Sequence, residues 1–136
     1  MSYIDFTVIF VVRHPEKPVF FMEIKPEGSI HSRSARKGAD RQMRARFGDF
    51  IESVDIVKFY GVSAIGANVC IYTQDRGTGY ILPEFIPNDR RYSIDVTPAN
   101  RWDLNVLTPQ GEEMLRNVAT HVKYIVADIL FSILYI

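Results

Sequence analysis

The sequence predicts one α/β (α+β) domain: a central mixed β-sheet that starts with a β-hairpin and is flanked by helices. Three features carry this. Two runs rich in β-branched and aromatic residues, Tyr3 to Val12 and Val19 to Lys25, flank the break His14-Pro15-Glu16-Lys17-Pro18. A helical stripe follows the second run, and a long apolar-striped helix closes the chain. The length of 136 residues, with 47% hydrophobic and 24% charged residues, suits one globular domain over residues 1–136.

Both early runs are almost continuously apolar, so both faces of their sheet are expected to be covered. Pro26 ends the second run and Glu27-Gly28-Ser29 reads as a loop. Ser32 or Ser34 then caps a helix reaching about Phe47, with Ala35, Ala39, Met43 and Phe47 on one stripe and Gly48 as its stop. Ile56 to Ala64 and Val69 to Thr73 read as strands around the turn Gly66-Ala67-Asn68. After the turn Asp75 to Gly79 comes a short strand, Tyr80-Ile81-Leu82, and residues 83–101 read as a loop. Thr108 caps the last helix, with Pro109 in its first position and Glu112 and Glu113 at the positive end of its dipole.

Sixteen Lys and Arg balance sixteen Asp and Glu, so a globally basic coat for nucleic acid is absent and any such site is a local patch. Cys70, the single cysteine, cannot form an intrachain disulfide or build a zinc site alone, and its apolar run reads as buried strand. His14, His31 and His121 share no metal-ligand spacing. Ser63 lies in a strand without a base evident from the sequence. Asp5 interrupts the first apolar stretch, which argues against a secretory signal and for an intracellular location, cytoplasm or nucleus. His121, Lys123 and Asp128 argue against a membrane span at the C-terminus.

The sharpest chemical signal is Phe20-Phe21-Met22-Glu23-Ile24-Lys25-Pro26. Residues two apart in a strand share a face, so Glu23 and Lys25 project together while Ile24 points the other way. The bland reading is an ion pair at a strand end, with about 0–1 kcal/mol of stabilisation. The functional reading adds Asp5. Two carboxylates and the backbone carbonyl of Ile24 would give Mg²⁺ (or Mn²⁺) its hard oxygen ligands, and Lys25 would orient a metal-activated water. A symmetric hairpin pairing Arg13 with Val19 sets Glu23 opposite Ile9, so Asp5 reaches Glu23 only if the hairpin is asymmetric or bulged.

Asp, hairpin, Glu-x-Lys, then a helix resembles the PD-(D/E)XK nuclease superfamily, over about residues 3–47. The resemblance implies a restriction-endonuclease-like sheet, metal on Asp5 and Glu23, and Lys25 assisting attack by water. Recombination-type exonucleases of this superfamily place a glutamine on the helix, which matches Gln42 in Ala39-Asp40-Arg41-Gln42-Met43-Arg44. The whole string, Glu23-Ile24-Lys25-Pro26 and then Ala39 to Arg44, also resembles uncharacterised fungal proteins. Two departures are the Ile4 that replaces the family's proline and the further acid that many members carry on a helix before the first strand: here either that element is absent or another segment supplies the acid.

Six of the sixteen cationic residues lie between Arg33 and Arg46, and Arg33, Lys37, Arg41 and Arg44 share about 80° of a helical wheel. They form a candidate grip on DNA or RNA phosphates, or else a solvated face on which Asp40 pairs with Arg36 or Arg44. Apolar residues from Met114 to Leu134 cover about 200° of the last helix, more than one sheet face needs. Either the loop from Phe85 to Trp102 covers the surplus, or a homodimer forms with Ile129 to Ile136 at its contact. The alternative to a nuclease is a nuclease-like protein-interaction domain without catalysis.

Overall fold

A computed structural model of the chain describes residues 7–13, 16–54, 56–87 and 94–134, without the side chains of 126–134. Among the described residues the sheet is mixed and six-stranded, with two α-helices. β1 (Val8–Arg13) and β2 (Pro18–Lys25) form the antiparallel hairpin expected from the Pro-containing break. A 3-10 turn (Glu27–His31) leads into α1 (Arg33–Phe50), which carries the chain across to β3 (Lys58–Ile65), parallel to β2. A parallel pair requires such a crossover. β4 (Asn68–Asp75) returns antiparallel to β3 across a turn with Gly66 at φ 59°, a conformation in which a side chain would be strained.

β5 (Ile81–Leu82) and β6 (Leu104–Asn105) both pair with β4, and a second 3-10 turn (Ala99–Trp102) precedes β6. α2 (Pro109–Leu134) follows, capped by Thr108, whose Oγ1 accepts from the Gly111 N–H at 3.2 Å. No helix among the described residues is long and apolar enough to cross a membrane.

The sheet separates two apolar layers. On one face Val19, Phe21, Phe59 and Tyr72 meet Ala39, Met43 and Phe47 of α1. Phe21 and Phe47 pack edge-on, with ring centroids 4.9 Å apart. Gly61 gives Phe21 its space, since a Cβ there would stand 2.6 Å from the ring. On the other face Val62, Ala64 and Val69 pack with Met22, Ile24 and Leu115. Ile24 thus points away from Glu23, as period-2 alternation requires.

Three readings are corrected. α1 does not stop at Gly48 but runs to Phe50, whose ring packs 5.8 Å from Phe21 and 6.1 Å from Phe59, so burial outweighs the glycine stop signal. Glu27 to Ser29 belong to a 3-10 turn. Residues 99–101, expected as loop, join the second 3-10 turn, where Trp102 enters the core. The expected strand residues 3–6 and Asp5 lie outside the described residues.

Candidate functional site

β2 presents Glu23 and Lys25 on the same face, as the sequence requires, but that face is roofed by α1. Glu23 is 3% exposed and Lys25 4% exposed. Arg46 reaches down from α1, its Nε donating to Glu23 Oε1 at 3.0 Å. Glu23 Oε2 is sealed from water without a hydrogen-bond partner. Lys25 Nζ donates to Thr7 Oγ1 at 3.0 Å. This is no solvent-screened pair at a strand end; both charges are interior and held by other side chains.

Ile9 stands opposite Glu23, as in the symmetric hairpin. The hairpin does carry an irregularity, but at Val12/Arg13 beside the turn, where it leaves the Ile9–Glu23 pairing in place. Gln42 is exposed on α1, and Arg46 one turn further along is the helix residue that touches Glu23. A magnesium ion takes about six oxygens and commonly one or two carboxylates. The orphaned Oε2 is one acceptor, but the Arg46 guanidinium already neutralises its carboxylate. No group of three His, Cys, Asp or Glu side chains able to hold a metal occurs among the described residues. The described residues by themselves do not fit Mg²⁺ or Mn²⁺.

The outer flank of α1 is arranged differently. Asp40 is buried, its Oδ1 accepting from Tyr72 Oη at 2.7 Å and its Oδ2 from Arg44 Nε at 3.0 Å. Arg44 also donates to the Pro83 carbonyl at 2.7 Å, and its guanidinium lies over the rings of Tyr72 and Phe85, at 5.7 and 5.6 Å. Arg36 is buried too, held by the carbonyls of Ile30 and Thr97 and by Asp95. Partial burial pushes the Asp95 carboxyl up, but hydrogen bonds from Arg36 and the Thr97 N–H, with the charges of Arg36 and Arg33, carry it below its ordinary value.

Of the four residues expected to grip phosphates, Arg33 lies 3.8 Å from Asp95 and Arg44 is committed to Asp40. Lys37 and Arg41 make no ion pair with a described residue. Lys37, Arg41 and Arg44 line one pocket of about 180 Å³, walled by Phe85, Ile86, Val96 and Thr97. Thr97 Oγ1 is buried without a hydrogen-bond partner. The expected cationic patch therefore has a concave centre, with Lys37 and Arg41 as its uncommitted charges.

Elsewhere, Cys70 is buried in β4, and burial pushes its thiol up to about 12, which removes it as a nucleophile at neutral pH. Ser63 accepts from Trp102 Nε1 at 3.2 Å in the core. His121 pairs with Tyr60 Oη through Nδ1 at 2.5 Å, a packing role. Sequence reasoning missed Arg46, Tyr72 and Phe85. Arg46 was detectable in principle, because it lies seven residues after Ala39 and three after Met43, on the edge of the apolar stripe.

Comparison with protein-family models, curated proteins and solved structures returns no match. The functional reading therefore rests on the residues themselves.

Proposed function

We propose that this chain is a nuclease-like domain that binds nucleic-acid phosphodiesters, of DNA or RNA, on the outer flank of α1. The observation that carries it is the convergence of Lys37, Arg41 and Arg44 on one pocket, with Lys37 and Arg41 unpaired among the described residues. Arg33 extends the same face as an exposed cation. Cations without protein partners suit exchange for phosphate, with release of counterions. Hydrolysis by Asp5, Glu23 and Lys25 with Gln42 is the finer form of this reading. The Arg46–Glu23 pair supports binding over cutting, since Arg46 already neutralises the carboxylate whose charge would hold a metal.

The test is a binding titration across salt concentrations, run beside a cleavage assay with Mg²⁺ or Mn²⁺ on plasmid, single strands and RNA. We expect binding whose log–log salt slope falls by about one to two units in Lys37→Glu/Arg41→Glu. An unchanged slope would sink the reading. Metal-dependent cutting abolished by Glu23→Ala and Lys25→Ala would restore the enzymatic form.

A second reading, a protein-interaction domain assembling as a homodimer, has its own observation. Val8, Phe10 and Val12 expose their side chains on the face opposite Glu23, Phe10 at 56%. Beside them Phe20, Met22, Leu115, Val118 and Val122 line an apolar groove of about 300 Å³. A second copy would cover that surface. The expected contact at Ile129 to Ile136 lies outside the described side chains. Light scattering on wild type and on Phe10→Asp tests it: a dimer that Phe10→Asp dissociates supports the reading, and a wild-type monomer removes it.

A further inference from the structure

We propose that the pocket on the outer flank of α1 takes one unstacked nucleotide, with its phosphate on Lys37 and Arg41 and its base against Phe85, so that the ligand is a single-stranded nucleic acid rather than a duplex. This rests on the phosphodiester-binding reading and adds to it the class of strand.

The pocket measures about 180 Å³. That is below the roughly 300–1,000 Å³ typical of sites that enclose a free small molecule. A space of this size holds one piece of a longer ligand. Its chemistry is divided: Lys37 and Arg41 supply charge, Phe85, Ile86 and Val96 supply apolar wall, and the one carboxylate in the lining, Asp40, is already answered by Arg44 and Tyr72. A bare phosphate or an acidic peptide would use the first half only. A nucleotide uses both.

Phe85 is built as a platform. It is 62% exposed, so its ring is open to a stacking partner at the rim of the charged pocket. The Arg44 guanidinium lies over its ring, and the Tyr72 ring lies near the same guanidinium. Arg44 cannot drift, because Asp40 and the Pro83 carbonyl hold it. Phe85 is thus backed by a fixed cation. A base stacked on it would continue the series ring, guanidinium, ring with one more π-system. Paired bases inside a duplex already stack on their neighbours, and only an unstacked base can offer its face. Thr97 stands in the same wall with its Oγ1 unpartnered and buried, a hydrogen-bonding group at hand for the sugar or base edge.

The experiment is fluorescence anisotropy with labelled single strands of about 15 nucleotides (oligo-dT and oligo-U), the matching duplexes, and polyglutamate as competitor. Proteins are wild type, Phe85→Ala, Phe85→Trp and Lys37→Glu/Arg41→Glu. Wild type should bind single strands more tightly than duplex. Phe85→Ala should weaken single-strand binding by about tenfold while leaving duplex binding and the salt slope alone, and Phe85→Trp should restore it. The charge-reversed pair should bind both forms more weakly, with the reduced salt slope. Equal loss of single strand and duplex in Phe85→Ala, no loss in either, or competition by polyglutamate as strong as by single strands overturns the inference while leaving phosphate binding intact. If wild type binds neither form, the phosphodiester reading falls and this inference with it.

Discussion

The inner and outer flanks of α1 carry the same residue types to opposite ends. Inward, Arg46 meets Glu23 over a strand face that water does not reach, and each charge is answered by a protein group. Outward, Lys37 and Arg41 line a pocket with no described ion-pair partner. Between the flanks stand Arg36 and Asp40, buried and multiply bonded. Charge on this helix is therefore open to a ligand only where the fold leaves it unanswered. Where the fold answers it, the same chemistry fastens the helix to the sheet.

Four measurements sharpen or break that contrast. The largest effect is expected at Asp40→Ala, which strands Tyr72 Oη and frees Arg44 and Arg101 from their shared acid. Breaking a buried network this way costs about 3–5 kcal/mol, read as a drop in the urea midpoint at unchanged m-value. A loss below about 1 kcal/mol would show that this acid is replaceable.

The next test is an asymmetry. Arg46→Met leaves Glu23 interior and unpaired, at a cost of about 2–4 kcal/mol. Glu23→Gln removes the buried charge and lets the half-exposed Arg46 turn to water, at about 1 kcal/mol. Equal losses would mean that Glu23 is not sealed as described.

A smaller effect concerns Asp95. Its carboxyl is depressed in the folded state, so the unfolded chain takes up the proton first as pH falls. The stabilisation is complete above the ordinary carboxylate range, about pH 4, and is lost as pH falls through the depressed value. Urea midpoints of wild type and Asp95→Asn should converge as pH falls from about 4 through that depressed value. Parallel curves would contradict the assignment. Smallest of all, Lys37→Glu/Arg41→Glu should change stability by less than about 0.5 kcal/mol, because neither side chain holds the fold.

The hairpin, the crossover helix with its Ser32 cap and the Pro109 helix start were legible in the sequence because local chemistry fixes them: proline breaks, a serine before a helical stripe, a two-residue period. The common face of Glu23 and Lys25 was legible for the same reason. Their burial was not. It depends on α1 lying across that face, and alternation says which side chains share a side without saying what covers them. Arg36 and Asp40 were read as surface charges because charge normally seeks water. Yet Arg36, Ala39, Asp40, Met43 and Phe47 keep a helical-face spacing, and their partners, Asp95 and Tyr72, come from far along the chain. Phe85 went unnoticed as a site residue because only the tertiary fold brings it beside Arg44.

Arg44 holds the Pro83 carbonyl and Arg36 holds that of Thr97, so the stretches on either side of the outer pocket are each strapped to the helix beneath. A molecule arriving there meets walls already in place. Little of the proposed ligand's binding free energy would be spent on ordering these two stretches. For the nucleic acid proposed above, association would then be governed by encounter, drawn in by Lys37 and Arg41 and slowed by added salt in proportion to the charge it screens.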